Sequence, residues 1–355
     1  MGRMPALTRM SEMQAAEVAR AHWGTGGITA RRLASEHDDT FRLTLPDGSR
    51  RFLRVSAPDA ALPATTATAP APGVSFLTGI LLHLEQNDSA IPVQRVEYTP
   101  SGAAEVPLGD GRLARMTTFL EGRLLADVPS TPALRREVGT TLARLSRALR
   151  SFRHPAARRT HQWDLQNAPA LRPLLEDLPG VTQRAELTGV LDRFETAVRP
   201  ALAGAATQVI HTDFHGENLL VSDDAATICG VLDFGDSLTG PVAMDVAVAA
   251  CYQLGAAADP AGGLADLLGP ALDVVAGYHA ADPLRVADLP LIREFILLRL
   301  ATRVIVSQWN AAREPSNSGY LLRRTGQATE HFEAFGKIPA EEVVSRLRAA
   351  CERAG

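Results

Sequence analysis

The residues that could do chemistry crowd into one stretch, Val209–Asp236, "VIHTDFHGENLLVSDDAATICGVLDFGD". Asp213, Asn218 and Asp233 supply two carboxylates and an amide oxygen. These are hard donors of the kind Mg²⁺ binds while keeping positions for phosphate and water. The apolar runs "LLV" and "TICGVL" flank the turn "SDDAA", which predicts a hairpin folded about residues 225–226. Such a hairpin sets Asn218 opposite Asp233 at its open end, with Asp213 in the loop just before. Asn218 and Asp233 are the expected metal ligands, and Asp213 is the group able to take a proton from an attacking hydroxyl. His211–Thr212–Asp213 with Asn218 fits H-x-D-x-x-x-x-N, and Asp233–Phe234–Gly235 fits D-F-G fifteen residues after Asn218. The pairing of the two patterns is the signature of phosphoryl transfer, where either alone is weak.

The neighbouring polar residues read mainly as support. Asp223 and Asp224 are turn formers. His211 is expected to brace the loop from within, and His215 either touches substrate or braces the loop too. Asp245, in an otherwise apolar run, reads as a buried hydrogen-bond anchor. His211 and His215 stand four apart, but they lie in a loop with no third soft ligand spaced for zinc.

The elements that must position these groups fall into two parts. At 355 residues the chain exceeds a typical single domain, and 46% hydrophobic with 21% charged residues suits a globular protein with ample core. The net charge is −4 and no long basic run tracks a phosphate backbone, which disfavours nucleic acid as a partner. No segment reads as a clean membrane span, and the N-terminal residues lack a signal peptide's apolar core. Cys229, Cys251 and Cys351 have no C-x-x-C spacing and read as reduced thiols of a cytoplasmic protein. Of the 36 basic residues, 35 are arginine, leaving Lys337 alone.

A helix over 11–22, a hairpin "TFRLTLPDGSRRFLRVS", a Pro/Ala/Thr connection over 59–73, a helix in "VSFLTGILLHLEQ" and strands in "IPVQRVEYTP" and "RLARMTTFLEG" make a small strand-rich part. Thr131 and Pro132 then open an amphipathic helix, with Leu134, Val138, Leu142, Leu145, Leu149 and Phe152 at spacings of three and four. Further helices are expected in "RAELTGVLDRFETAVRPALAG", "GPVAMDVAVAACYQLG" and 289–313. The expected division is 1–120 and 121–355.

"HTDFHGENLL…GVLDFGD" resembles the aminoglycoside phosphotransferase and choline kinase-like enzymes. "WDLQNAPALRPLLEDL", "GVLDFGDSLTGPVAMDVAVAACYQL" and "RLATRVIVSQWNAAREPSNSGYLL" look most like the hydroxylysine kinase branch. The resemblance spans about residues 30 to 335. It implies an α+β, bilobed protein-kinase-like fold with a strand-rich N-lobe that binds nucleotide and a mainly helical C-lobe. It implies transfer of the γ-phosphoryl of ATP or GTP to a hydroxyl of an amino acid or amino alcohol, with Asp213 as base and Mg²⁺ on Asn218 and Asp233. The backbone around Thr117 to Phe119 is expected to grip the nucleotide base. Partners are small hydroxylated amines, with the protein a monomer or homodimer.

Three departures stand out. The family's nucleotide lysine is replaced by Arg54, whose planar head keeps the charge but not the shape. The helix acid that partners that lysine would fall near Ser75, where none stands, and Asp59 and Glu85 are poorly placed substitutes. Thr212 occupies a usual glycine position. An altered phosphate clamp leaves a second reading open, a nucleotide- or ligand-binding regulatory protein. On the substrate side, Arg299 and Arg303 share a helix face and need an anion, either Glu294 or a substrate carboxylate. Asp236 is placed to hold a substrate ammonium or the loop.

Overall fold

The computed structural model describes residues 9–35, 38–56, 74–256, 266–313 and 325–354. The Pro/Ala/Thr connection, including Asp59, and all of "EPSNSGYLL" lie outside the described residues. The chain divides into two compact units, Met1–Glu121 with Arg153–Ala156, and Gly122–Phe152 with Ala157–Gly355. Among the described residues no helix is long and apolar enough to cross a membrane.

The first unit is an antiparallel sheet with two helices. Strands β1 (Thr29–Arg32), β2 (Asp39–Thr44), β3 (Arg50–Ser56) and β6 (Leu113–Thr118) run in that order, each antiparallel to the next. The two-residue strands β4 (Val96–Glu97) and β5 (Val106–Pro107) share the far edge of β6. Alternation decides which face is buried. Phe41, Leu43, Leu53, Val55, Ala114 and Met116 point to one side and meet Ala15, Ala19 and Trp23 of α1 (Glu12–Trp23). Ser11 and Gln14 close a capping box at the start of α1, satisfying donors that the first turn leaves open. The β2–β3 turn needs Gly48, whose φ is +82°. Strand β1, "TARR", has no apolar alternation to mark it in the sequence. The expected strand in "IPVQRVEYTP" contracts to Val96–Glu97. The second helix, α2 (Phe76–Asn87), buries Phe76, Ile80, Leu81 and Leu84.

The second unit contains β7 (Arg123–Leu124), α3 (Pro132–Leu149), α4 (Arg172–Glu176), α5 (Arg184–Arg193), α6 (Arg199–Ala201), β8 (Thr207–Ile210), β9 (Leu219–Val221), β10 (Ile228–Val231), β11 (Leu238–Pro241), α7 (Val242–Cys251), α8 (Gly269–Ala281) and α9 (Leu289–Arg313). Two closing helices, Thr325–Gly336 and Ala340–Glu352, are joined through a turn that exposes Lys337. The apolar stripe of α3 is buried from Leu134 to Phe152, and its partner is α8. The two helices meet on glycine. A Cβ on Gly139 would stand 2.0 Å from the Val274 carbonyl oxygen, and one on Gly277 would stand 2.0 Å from that of Arg136. Backbone cannot yield as a side chain can, so Gly139→Ala should force the helices apart. We expect a loss of about 2 kcal/mol, the range of overpacked cores, read from urea melts.

Candidate active site

Two short antiparallel ladders frame the catalytic stretch. β8 pairs with β11, from Ile210–Leu238 to Thr207–Pro241, and β9 pairs with β10 on one side and β7 on the other. The loops 211–218 and 232–237 therefore leave from strands that are already fixed. β11 went unread in the sequence, where "LTGP" lacks alternation.

The hairpin differs from its prediction by one residue. Its turn is centred earlier, with the Ser222 N–H donating to Thr227 O at 3.1 Å and Ala225 in the left-handed region at φ 54°. The register then shifts at Cys229, an extra residue in β10 of the kind a bulge supplies. Asn218 therefore faces Leu232, whose N–H donates to Asn218 O at 2.8 Å, and Asp233 stands one position beyond.

Asp213 is held from three directions. Arg299 Nη2 donates to Oδ1 at 2.7 Å. His215 Nε2 and Asn218 Nδ2 both approach Oδ2, at 3.1 and 2.8 Å. Burial works to raise its pKa, but the His215 imidazole beside it, then Arg299 and His211, hold it well below the usual carboxylate range. Arg299 thus finds its anion in Asp213, not in Glu294 or a substrate carboxylate as its place on the helix suggests. Glu294 instead pairs with Arg193 and Arg293, at 2.5 and 2.9 Å. Arg299, 2% exposed, also reaches the Tyr252 hydroxyl at 3.1 Å and lies against the Trp163 ring.

The histidines are fixed by a repeated device. The N–H two residues on donates to Nδ1 in His211, His215 and His161, from Asp213, Glu217 and Trp163, at 3.3, 3.2 and 3.2 Å. Each ring therefore carries its proton on Nε2. His211 gives it to Leu232 O at 2.9 Å, His215 to Asp213, and His161 to Asp236 O at 3.0 Å.

Thr212 adopts φ 69°, the left-handed conformation that suits glycine and strains a β-branched residue. Asp245, 3% exposed, holds it there by accepting the N–H of His211 at 3.0 Å and of Thr212 at 2.7 Å. The Thr212 hydroxyl donates to Asp236 O at 2.8 Å. Arg159 donates to the carbonyls of Gly235 and Ser237. Asp236 thus braces the loop through its backbone, and no protein group hydrogen-bonds its carboxylate among the described residues. Arg159, His161, Tyr252 and Trp163 all bear on the site without any local motif that could have marked them.

The residues fit a hard divalent cation. Asn218 turns its nitrogen to Asp213 O and Oδ2, at 3.0 and 2.8 Å, which turns its amide oxygen away. Asp233 is exposed at φ 53°, with Oδ1 accepting the Gly235 N–H at 3.0 Å. No cluster of three or more His, Cys, Asp or Glu able to hold a metal occurs among the described residues.

In the first unit, Arg54 on β3 pairs with Asp38 and stands beside Arg115 on β6. The first turn of α2 carries no acid, but Glu105 reaches its N-terminus, accepting from the Ser75 N–H at 2.6 Å and the Ser75 hydroxyl at 2.8 Å. Thr117 lies inside β6 between Phe52 and Val96, and Phe119 follows just past the end of that strand.

Residues 29–285 match the family model described as APH, phosphotransferase enzyme family. A hydroxylysine kinase from Danio rerio is 24% identical over 364 residues, covering 95% of this chain and 94% of that one. Among solved structures, an amicoumacin kinase in complex with AMP-PNP and Ca²⁺ aligns with a TM-score of 0.65 at 15% identity, over 94% of this chain and 98% of that one. A microcompartment-associated aminopropanol kinase aligns with a TM-score of 0.59 at 20% identity, over 96% of each chain. The fold is α+β and protein-kinase-like.

Proposed function

Because the chain belongs to the phosphotransferase enzyme family, which acts on hydroxyl groups, we propose that it moves the γ-phosphoryl of ATP or GTP to a hydroxyl of a hydroxylysine-like amino acid or amino alcohol. The observation that carries this reading is the presentation of Asp213. A carboxylate has about four acceptor positions, and Arg299, His215 and Asn218 occupy three of them. The remaining one defines where an acceptor hydroxyl docks. Asp213 stays ionised and takes the proton late, so its main contribution is to aim the hydroxyl; loose phosphoryl transfer asks for positioning more than for a strong base.

Asn218 and Asp233 are the residues that would hold Mg²⁺. When bound, it supplies charge neutralisation to the transferring phosphates. Arg54 is assigned to the nucleotide phosphates, and the backbone from Thr117 to Phe119 to the base. Asp236 offers its carboxylate to a substrate ammonium. The three cysteines are free, in keeping with a reducing cytoplasmic setting.

The direct test is to incubate the protein with Mg²⁺, ATP or GTP and a panel of hydroxylated amino acids and amino alcohols, and to look for phosphorylated product by mass. Hydrolysis of nucleotide with no phosphorylated acceptor in the whole panel would count against the reading. Arg54→Gln should raise the KM for nucleotide about tenfold, the loss of one charge-assisted contact, with a smaller effect on kcat. Initial rates against nucleotide concentration measure it.

A further inference from the structure

Arg303 is a buried cation to which the described residues give no counter-ion. It sits one helical turn beyond Arg299 on α9 and is 8% exposed. The other deeply buried arginines have carboxylates: Arg299 has Asp213, Arg135 has Asp273 and Arg293 has Glu294. Among the described residues no carboxylate pairs with Arg303. Its guanidinium lies over the Tyr252 ring, 4.7 Å from the centroid, beside the buried Cys251 thiol that lines the same cavity. Holding a charge in such a place is costly unless an anion arrives.

There is room for one. Arg303 lines a cavity of about 190 Å³ with Gln253, His331, Gln327, Cys251 and Tyr252. That exceeds the ~150 Å³ that admits benzene in an engineered core. The lining includes no carboxylate. Gln253 accepts from the Ser130 hydroxyl at 3.4 Å through its oxygen, which leaves the amide N–H groups for a ligand. His331 is 5% exposed, and burial, then Arg303, push its pKa down, so it presents a neutral ring. Tyr252 joins this cavity to the catalytic loop. It stacks on His215 with centroids 4.5 Å apart and hydrogen-bonds Arg299, so one aromatic ring separates the cavity from the groups that hold Asp213.

We propose that this cavity is a carboxylate subsite for the acceptor, with Arg303 pairing the carboxylate and Gln253 donating to it. The assignment rests on the phosphotransfer reading above and sharpens it: the acceptor is an amino acid rather than an amino alcohol, with its hydroxyl several bonds from the carboxylate.

Hydroxylysine, its carboxamide and inorganic phosphate are the probes, used on the wild type, Arg303→Gln and Arg303→Met. The KM for hydroxylysine should rise about 30-fold in either variant, the weight of a charge-assisted pair. The penalty should be confined to the acid, since the carboxamide has no charge for Arg303 to read. Hydroxylysine should raise the melting temperature of the wild type, and the carboxamide should not. Unliganded Arg303→Met should melt at or above the wild-type temperature, because it relieves a buried charge; a purely structural arginine would give the opposite. Equal KM values for acid and carboxamide in the wild type would overturn the subsite while leaving the kinase standing. Arg303-dependent stabilisation by hydroxylysine without any turnover would keep the subsite and remove the phosphotransfer reading. Protection by phosphate but not by hydroxylysine would overturn the acceptor assignment in favour of a free-anion site.

Discussion

Replacing Asp213 with asparagine should lower kcat about a thousandfold, within the range for loss of a positioned proton acceptor, while nucleotide affinity changes little. Asparagine keeps the shape and can still accept from Arg299, but it cannot take a proton or hold one carboxylate oxygen toward a hydroxyl. The pH profile should be distinctive. Asp213 is active when ionised, so activity is lost as pH falls through its folded pKa. That value lies well below the ordinary 3.8 because His215, Arg299 and His211 outweigh burial. The wild-type profile should therefore show no acid limb from this group above pH ~4. Arg299→Met removes one of the lowering partners, so the folded pKa rises and the limb moves to higher pH. Single-turnover rates across pH measure both effects. Retention of more than a tenth of wild-type kcat in Asp213→Asn would remove Asp213 from the proposed role. The substitution also strands the Arg299 charge, which can cost about 3–5 kcal/mol. The double variant Asp213→Asn/Arg299→Met should recover that stability without recovering activity, which separates folding from chemistry.

Asp245→Ala should lose about 4 kcal/mol of stability and most of the activity. The carboxylate accepts two buried N–H groups, those of His211 and Thr212. Each costs roughly 1–3 kcal/mol when left unsatisfied. The second belongs to a β-branched residue in the left-handed region, a conformation that costs about 1–2 kcal/mol. Without its anchor Thr212 is free to relax, and Asp213 is the next residue. Asp245→Asn keeps one acceptor oxygen and should fall between the wild type and alanine. Chemical denaturation and kcat read the two effects; an alanine variant that melts with the wild type would show that the loop does not depend on Asp245.

Much of this was legible in the chain. The α3 stripe, the helix over 289–313 and the β2–β3 hairpin are local patterns, and local patterns survive folding. So does the Asp213–Asn218–Asp233 spacing, because both loops hang from one hairpin. What escaped was either irregular or distant. The turn is centred one residue earlier than "SDDAA" suggests, and the extra residue at Cys229 makes up only half of the resulting shift, so Asn218 faces Leu232 and not Asp233; no composition signals a bulge. The pairing of Arg299 with Asp213 spans 86 positions, and that of Glu105 with Ser75 spans 30. Both depend on how helices and strands pack, not on neighbours in sequence. The first turn of α2 carries no acid, as "GVSFLTG" leads one to expect, but Glu105 and Asp38 bring acids to that unit from other elements.

If Arg54 holds the nucleotide phosphates as proposed, it also decides how this enzyme can be seen by a chemist. Acyl-phosphate nucleotide probes tag kinases by acylating the lysine beside the phosphates, and a guanidinium does not react. Such a survey would pass over this protein however active it is. The same scarcity is useful in the laboratory: Lys337, exposed between the closing helices, is the one lysine available to an amine-reactive dye or surface. A label placed there would report one site and leave the catalytic loop unmodified.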